Sequence, residues 1–121
     1  MQDTEVYVSI TGLELRRLWH YPTFMFHAVR SMGQARSAPG NLGADARTID
    51  GIHHTLSIWR DRHAMRAYLG GGAHLEAMKA FPKIATGRTL SYFTDTPPGW
   101  DEVPALLRQK GKLVGLRSDG C

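Results

Sequence analysis

The stretch IHHTLSIWRDRHAMRAYLGGGAHLEAMKAF, residues 52–81, holds four of the six histidines of the chain. Its first eight residues alternate and are rich in β-branched and aromatic types, the pattern of a strand. Asp61 can then cap a short helix that carries Ala64, Met65, Tyr68 and Leu69 and is ended by Gly70, Gly71 and Gly72. A second helical piece, AHLEAMKAF, runs to Pro82. Upstream, Asp50-Gly51 is a tight hairpin turn joining this strand to a weaker one, LGADARTI. Further upstream, VYVSITGLEL (6–15) reads as a first strand. PTFMFHAVRSMGQARS then reads as a helix with Pro22 in its first turn and Phe24, Met25, Ala28, Val29 and Met32 at helical spacing, stopped by APGN. Downstream, RTLSYFT makes a last strand before the breaker DTPPG, and WDEVPALLRQKG suits one more short helix.

The order is β-α-β-β-α-β. It defines an α+β, ferredoxin-like split arrangement, a four-stranded antiparallel sheet with helices on one face. Alternation sorts the strand residues into two faces. One collects Val6, Val8, Ile10, Ile52, His54, Leu56, Ile58, Leu90 and Tyr92. The other collects Tyr7, Ser9, Thr11, His53, Thr55, Ser57, Trp59, Thr89, Ser91 and Phe93. The aliphatic set is expected to meet the helices. The semi-polar set carries almost no Lys, Glu or Arg, so it too needs a cover. A second copy packed through this sheet face supplies one, giving a homodimer around a semi-polar cavity. The alternative cover is the segment from Trp100 to Leu116 folded across.

A length of 121 residues suits a single domain over 1–121, with 95–121 as a C-terminal extension. The chain is 42% hydrophobic and 21% charged and has no run apolar enough to span a bilayer. MQDTEVYVSITG lacks a basic start and an apolar signal core, so a cytoplasmic location is expected. The single cysteine, Cys121, allows no intramolecular disulfide. The net charge of +4 comes from basic residues interleaved with acids between Arg16 and Arg117, a solvated basic surface rather than a nucleic-acid footprint. The GGG triplet lacks the strand-to-helix context and the lysine or acidic partner of a phosphate or nucleotide loop and reads as a hinge.

At LSIWRDRHAMRAYLGGGAHLEAMKAF the chain resembles the antibiotic-biosynthesis-monooxygenase type of dimeric α/β barrel, especially its branch related to DUF3291 proteins. Ser57, Ile58, Trp59, Asp61, Gly72, Ala73 and His74 carry the resemblance. MGQARSAPGN is also similar to spheroidene monooxygenase, a haem-dependent carotenoid oxygenase. The resemblance implies a ligand cavity between helices and barrel face, used in relatives for cofactor-independent oxygenation of electron-rich polycyclic molecules, for haem degradation or binding, or for isomerisation. Haem-degrading relatives use an Asn on the first strand with a Trp and a His in the second helical region. Here the first strand offers Ser9, Tyr68 stands near the place of that Trp, and the histidine spacing differs.

His74 shares a helical stripe with Ala77, Met78 and Phe81 and is expected to face inward. A half-buried imidazole there serves as a proton acceptor, as an axial haem ligand, or as a core histidine satisfied by a carbonyl. His53 shares the semi-polar face while His54 points the opposite way, so the pair does not chelate one metal, and no metal site is expected. The catalytic candidates are therefore His74 and, second, His53. Tyr7, Ser9, Trp59, Tyr68, Ser91 and Phe93 are the ligand-binding candidates, the hydroxyls by hydrogen bonding and the rings by stacking. The leading expectation is a monooxygenase-like enzyme acting without a bound cofactor on a small apolar conjugated molecule. The alternatives are a haem or apolar-ligand carrier and a non-catalytic dimer whose cavity is filled by its own side chains.

Overall fold

The Asp50-Gly51 turn forms as its sequence requires. Asp50 has φ 52° and Gly51 φ 79°, and a two-residue hairpin turn with both central φ values positive follows the twist of its strands. In the computed structural model, which describes residues 5–114, this turn joins β2 (Asn41–Ile49) to β3 (Ile52–Trp59). Before them come β1 (Val6–Leu15), a single 3-10 turn (Leu18–His20) and α1 (Tyr21–Ser37). After them come α2 (Arg62–Leu69), α3 (Gly72–Ile84), β4 (Ala85–Thr94), α4 (Val103–Lys110) and β5 (Lys112–Val114). Cys121 and the first four residues lie outside the described part.

The expected β-α-β-β-α-β order is present, and the sheet order is β2-β3-β1-β4-β5, every neighbouring pair antiparallel. The sheet has five strands rather than four, because β5 pairs Lys112, Leu113 and Val114 with Thr89, Arg88 and Gly87. Helix α3 also runs past Pro82 to Ile84. The Pro82 carbonyl accepts both Nε and Nη2 of Arg16, at 3.1 and 2.8 Å, which ties the helix end to the end of β1.

The two sheet faces are occupied opposite to expectation. The aliphatic face does not meet the paired helices. Val8, Ile10 and Leu56 form a buried core with Val103 and Leu107 of α4, and Val6, Ile58, Leu90, Tyr92 and Trp100 pack around it. The registers stack these residues across strands: Val8 opposite Ile58 and Tyr92, Ile10 opposite Leu56 and Leu90. The semi-polar face, expected to receive a second copy, is instead covered by the chain's own helices α1, α2 and α3. Trp59 packs with Ala35, Ala64 and Met65 there, and Phe24 with Ile84 and Ala85.

The physical reason lies in the helices. Alternation separates two faces without saying which one the crossover helices reach, and here both faces are covered. The inward line of α1 is Phe24, Ala28, Ser31 and Ala35, small and partly hydroxylic, which suits a face of Ser, Thr and His. Val29, at helical spacing with Phe24 and Met25, points outward and is exposed. The C-terminal segment, through α4, does fold across the sheet, but on the aliphatic side, while residues 115 and 116 lie outside the described part. Each fully buried aliphatic side chain there contributes about 1.5–3 kcal/mol relative to exposure.

Candidate active site between the helices and the sheet

The Asp61 side chain accepts the backbone N–H of Ala64 at 2.8 Å and starts α2 directly after β3. One helix later the chain turns back at Gly70 and Gly71 into α3. Gln34 of α1 holds this corner. Its Nε2 donates to the carbonyls of Gly71 (3.0 Å) and Tyr68 (3.3 Å), and its Oε1 accepts the backbone N–H of His74 at 2.8 Å. The first turn of a helix has N–H groups without intrahelical partners, so this amide serves as the cap of α3.

The corner sets three rings in a row. Trp59, fully buried at the end of β3, stacks on Tyr68 with centroids 5.1 Å apart, and Tyr68 meets His74 at 4.5 Å with a tilt of 53°. Trp59 Nε1 donates to Ser57 Oγ at 2.9 Å. The Tyr68 hydroxyl donates to the Ser31 carbonyl at 3.1 Å. A carbonyl only accepts, so that proton is committed, and Ser31 Oγ, 2.8 Å away, donates back to the phenol oxygen. Burial raises the Tyr68 pKa against the opposing effect of that Ser31 bond, so the phenol stays protonated. Burial lowers the pKa of His74, with a hydrogen bond that the ring donates to the Leu69 backbone acting the other way. Its ring is therefore neutral near pH 7, and its buried Nδ1 has no hydrogen-bond partner. A neutral imidazole with an unused ring nitrogen beside two stacked aromatic rings is equipped to accept a proton.

The other candidates from the sequence are distributed along the same interlayer. Tyr7, opposite Trp59 in β1, packs against this cluster and touches Phe93 at 4.7 Å. Ser9 is buried and accepts from Ser91 at 3.3 Å. Ser91 and Phe93 lie on the same face of β4 but are exposed, Phe93 by 50%, and form the open rim of the layer. His53 belongs to a different group. Its ring lies 4.7 Å from Phe24 and 6.0 Å from Tyr21, its Nδ1 is 2.9 Å from Thr48 Oγ1, and burial lowers its pKa. The structure thus brings together Trp59, Tyr68 and His74, with Tyr7 beside them, and keeps His53 apart. Met78, expected on the inward stripe with His74, is exposed, whereas Ala77 is buried.

Sequence reasoning missed Ser31, Gln34 and His27. Ser31 sits in line with Phe24 and Ala28, where a polar residue among apolar ones marks a buried hydrogen bond, so the signal was present. Gln34, three residues on, gave none, because its partners lie beyond residue 67. His27 has a buried Nδ1 without a partner and lies edge-on to Phe81 at 6.1 Å. Among the described residues no three His, Cys, Asp or Glu side chains gather to hold a metal ion, and no helix is long and apolar enough to cross a membrane.

This architecture, an α+β fold whose five-stranded antiparallel sheet carries α1, α2 and α3 on one face and α4 on the other, is similar to the fold of the antibiotic-biosynthesis-monooxygenase proteins. The solved structures similar to it include a cofactor-independent oxygenase from Streptomyces nogalater, at 14% identity and a TM-score of 0.59, covering 79% of this chain and 97% of that one. A Nitrosomonas europaea protein described as a candidate antibiotic biosynthesis monooxygenase is 13% identical with a TM-score of 0.63, covering 78% and 98%. A conserved protein from Bacteroides thetaiotaomicron is 6% identical with a TM-score of 0.64, covering 76% and 99%. At these identities the likeness concerns the fold. No protein-family model matches the sequence, and no curated protein matches it.

Proposed function

We propose that the protein is a cofactor-independent monooxygenase acting on a small, apolar, conjugated molecule held between the helices and the sheet, with His74 as the base. One observation carries this reading: the neutral His74 ring, with an unpartnered Nδ1, stands against the Tyr68 and Trp59 rings at the end of the interlayer. The likeness in fold to an oxygenase described as cofactor-independent supports it. So does the sequence resemblance carried by Ser57, Ile58, Trp59, Asp61, Gly72, Ala73 and His74, which points to the DUF3291-related branch.

The chemistry needs no outside reductant. His74 takes a proton from an activated methylene, and the electron-rich carbanion or enolate passes an electron to dioxygen. Recombination forms a carbon–oxygen bond, and the peroxide loses water to leave a carbonyl. In sum CH2 and O2 become C=O and H2O, the substrate supplying all the electrons. Tyr68 keeps its proton and, with Trp59 and Tyr7, stacks and orients the ligand. Ser9, Ser91 and Phe93 line the approach from the open rim, and the dry interlayer protects the anion. Entry displaces the Tyr68 hydroxyl from Ser31, a net cost of about 1 kcal/mol per hydrogen bond. His53 is the second candidate for the base, held away from Tyr68 by Phe24 and Thr48.

The haem alternative fits these residues poorly. One side of the His74 imidazole is engaged by the Leu69 backbone, and a haem, far larger than a single small conjugated molecule, would have to displace the whole Tyr68 and Trp59 stack, of which Trp59 is fully buried. We take the protein to work in the cytoplasm as a homodimer. Support for a second copy now comes from exposed Leu42 and Leu113 on the edge strands β2 and β5, the usual place for chain-to-chain pairing. A monomer mass in light scattering would remove that element.

The test is oxygen uptake with a polycyclic probe bearing an activated methylene, such as anthrone. Turnover by the purified chain without added metal or flavin, reduced about a hundredfold or more in His74→Ala at unchanged Tm, is the expected result. Equal rates in wild type and His74→Ala would remove His74 from the reaction.

A further inference from the structure

A second site lies on the other side of the sheet. A cleft of about 160 Å³ opens between α4 and the β2–β3 turn, lined by Gly12, Glu14, Ile49, Asp50, Ile52, His54, Gly87, Arg88, Pro104, Leu107 and Arg108. Its floor follows from strand register. His54, Gly12 and Arg88 stand directly opposite one another on β3, β1 and β4, on the aliphatic face. Neighbouring strands are about 4.8 Å apart, so His54 and Arg88 flank the glycine at roughly 10 Å from each other. A Cβ at residue 12 would sit 3.0 Å from Leu107 Cδ1 and 3.2 Å from the His54 ring, so glycine lets both close in without filling the row.

The polar groups around the cleft have charges of both signs and few partners. Glu14 and Asp50 stand on the β1 and β2–β3 side, and Arg88 and Arg108 on the β4 and α4 side. Among the described residues none of the four takes part in an ion pair, and Arg88 makes one long hydrogen bond, 3.4 Å, to the Gly111 carbonyl. His54 is only 4% exposed. Its Nδ1 lies 3.0 Å from the Ile52 carbonyl and must donate to it, which leaves Nε2 as an acceptor without a protein partner among the described residues. Between the charged sides, Ile49, Ile52, Pro104 and Leu107 form apolar walls. A cavity of about 150 Å³ accommodates a benzene-sized group.

We propose that this cleft binds a small zwitterion, an α-amino acid with an apolar side chain. Its carboxylate pairs with Arg88 and Arg108, its ammonium with Glu14, Asp50 and His54 Nε2, and its side chain rests on Ile52 and Leu107. A simple anion would leave Glu14 and Asp50 facing it unpaired, and a simple cation would do the same to the arginines. A zwitterion answers both. The site is separate from the interlayer around His74 and independent of the oxygenase reading.

Titration calorimetry of the full chain with L-leucine tests this, with 4-methylpentanoate and 3-methylbutylamine as halves of the zwitterion. The expected result is saturable millimolar binding of L-leucine, with each half-molecule weaker by about tenfold or more. Arg108→Gln and Glu14→Gln, both at exposed positions and checked for an unchanged circular dichroism spectrum, each weaken L-leucine by about tenfold, while His74→Ala leaves it unchanged. No saturable binding by the wild type would overturn the proposal. So would equal affinity for 4-methylpentanoate, binding untouched in both charge variants, or binding lost in His74→Ala.

Discussion

The two faces of one sheet differ in what they do. The side under α4 is aliphatic: Val8, Ile10, Leu56, Val103 and Leu107 close on one another without a polar side chain among them. The side under α1, α2 and α3 mixes rings with hydroxyls and is tied by side-chain hydrogen bonds, Thr11 to Thr55, Ser91 to Ser9, Trp59 to Ser57 and Tyr68 to Ser31. Apolar burial is non-directional and proportional to area, whereas buried polar groups need specific partners. Stability is therefore concentrated on the first side and positional precision on the second.

The largest effect that would break this division is on stability. Ile10→Ala should cost about 2–5 kcal/mol, read as a lowered midpoint in urea, because Ile10 is fully buried and central to the aliphatic cluster. A cost below about 1 kcal/mol would mean that α4 does not hold that face closed. A smaller effect concerns acid. Burial lowers the pKa of His53, His54 and His74 in the fold below the ordinary 6.5. The unfolded chain then binds more protons than the native one between those values, so stability rises with pH through that window. The contribution is intact above pH 6.5 and is lost as pH falls through the folded values. Thermal melts from pH 7.5 downward should show Tm falling on acidification below about 6.5, and His74→Gln should flatten the slope. A Tm independent of pH in that range would contradict the burial of all three rings. The smallest effect is at the edge of the site. Asp61→Ala removes the cap of α2 and should cost about 1 kcal/mol. If it also lowers oxygen uptake, α2 positions Tyr68 in solution as it does here.

Much of this fold was legible in the sequence. The Asp50-Gly51 turn, the alternation in β1 and β3 and the cap at Asp61 are local signals, and each element stands where those signals put it. The neighbourhood of Trp59, Tyr68 and His74 was partly legible, since inward spacing marks individual residues. What alternation did not convey was which face receives the helices, because each face meets a cover of matching chemistry. Nor did it convey Gln34, whose role exists only when residues far along the chain arrive beside it. The three-residue strand β5 is too short for alternation to register, and Arg88 and Leu113 find each other only through α4.

Gln34 also has a consequence for how the protein comes into being. One amide from the first half of the chain carries the carbonyls of Tyr68 and Gly71 and the N–H of His74 from the second half. These contacts span 34 to 40 residues, and closing such loops precedes any gain from them. By loop closure alone the corner that holds His74 comes after the local β2–β3 hairpin and ahead of the β1–β4 pairing, whose partners are farther apart in the chain. A nascent chain ending before α3 offers Gln34 the Tyr68 and Gly71 carbonyls but not the His74 N–H, so the clasp closes fully only once α3 has been made.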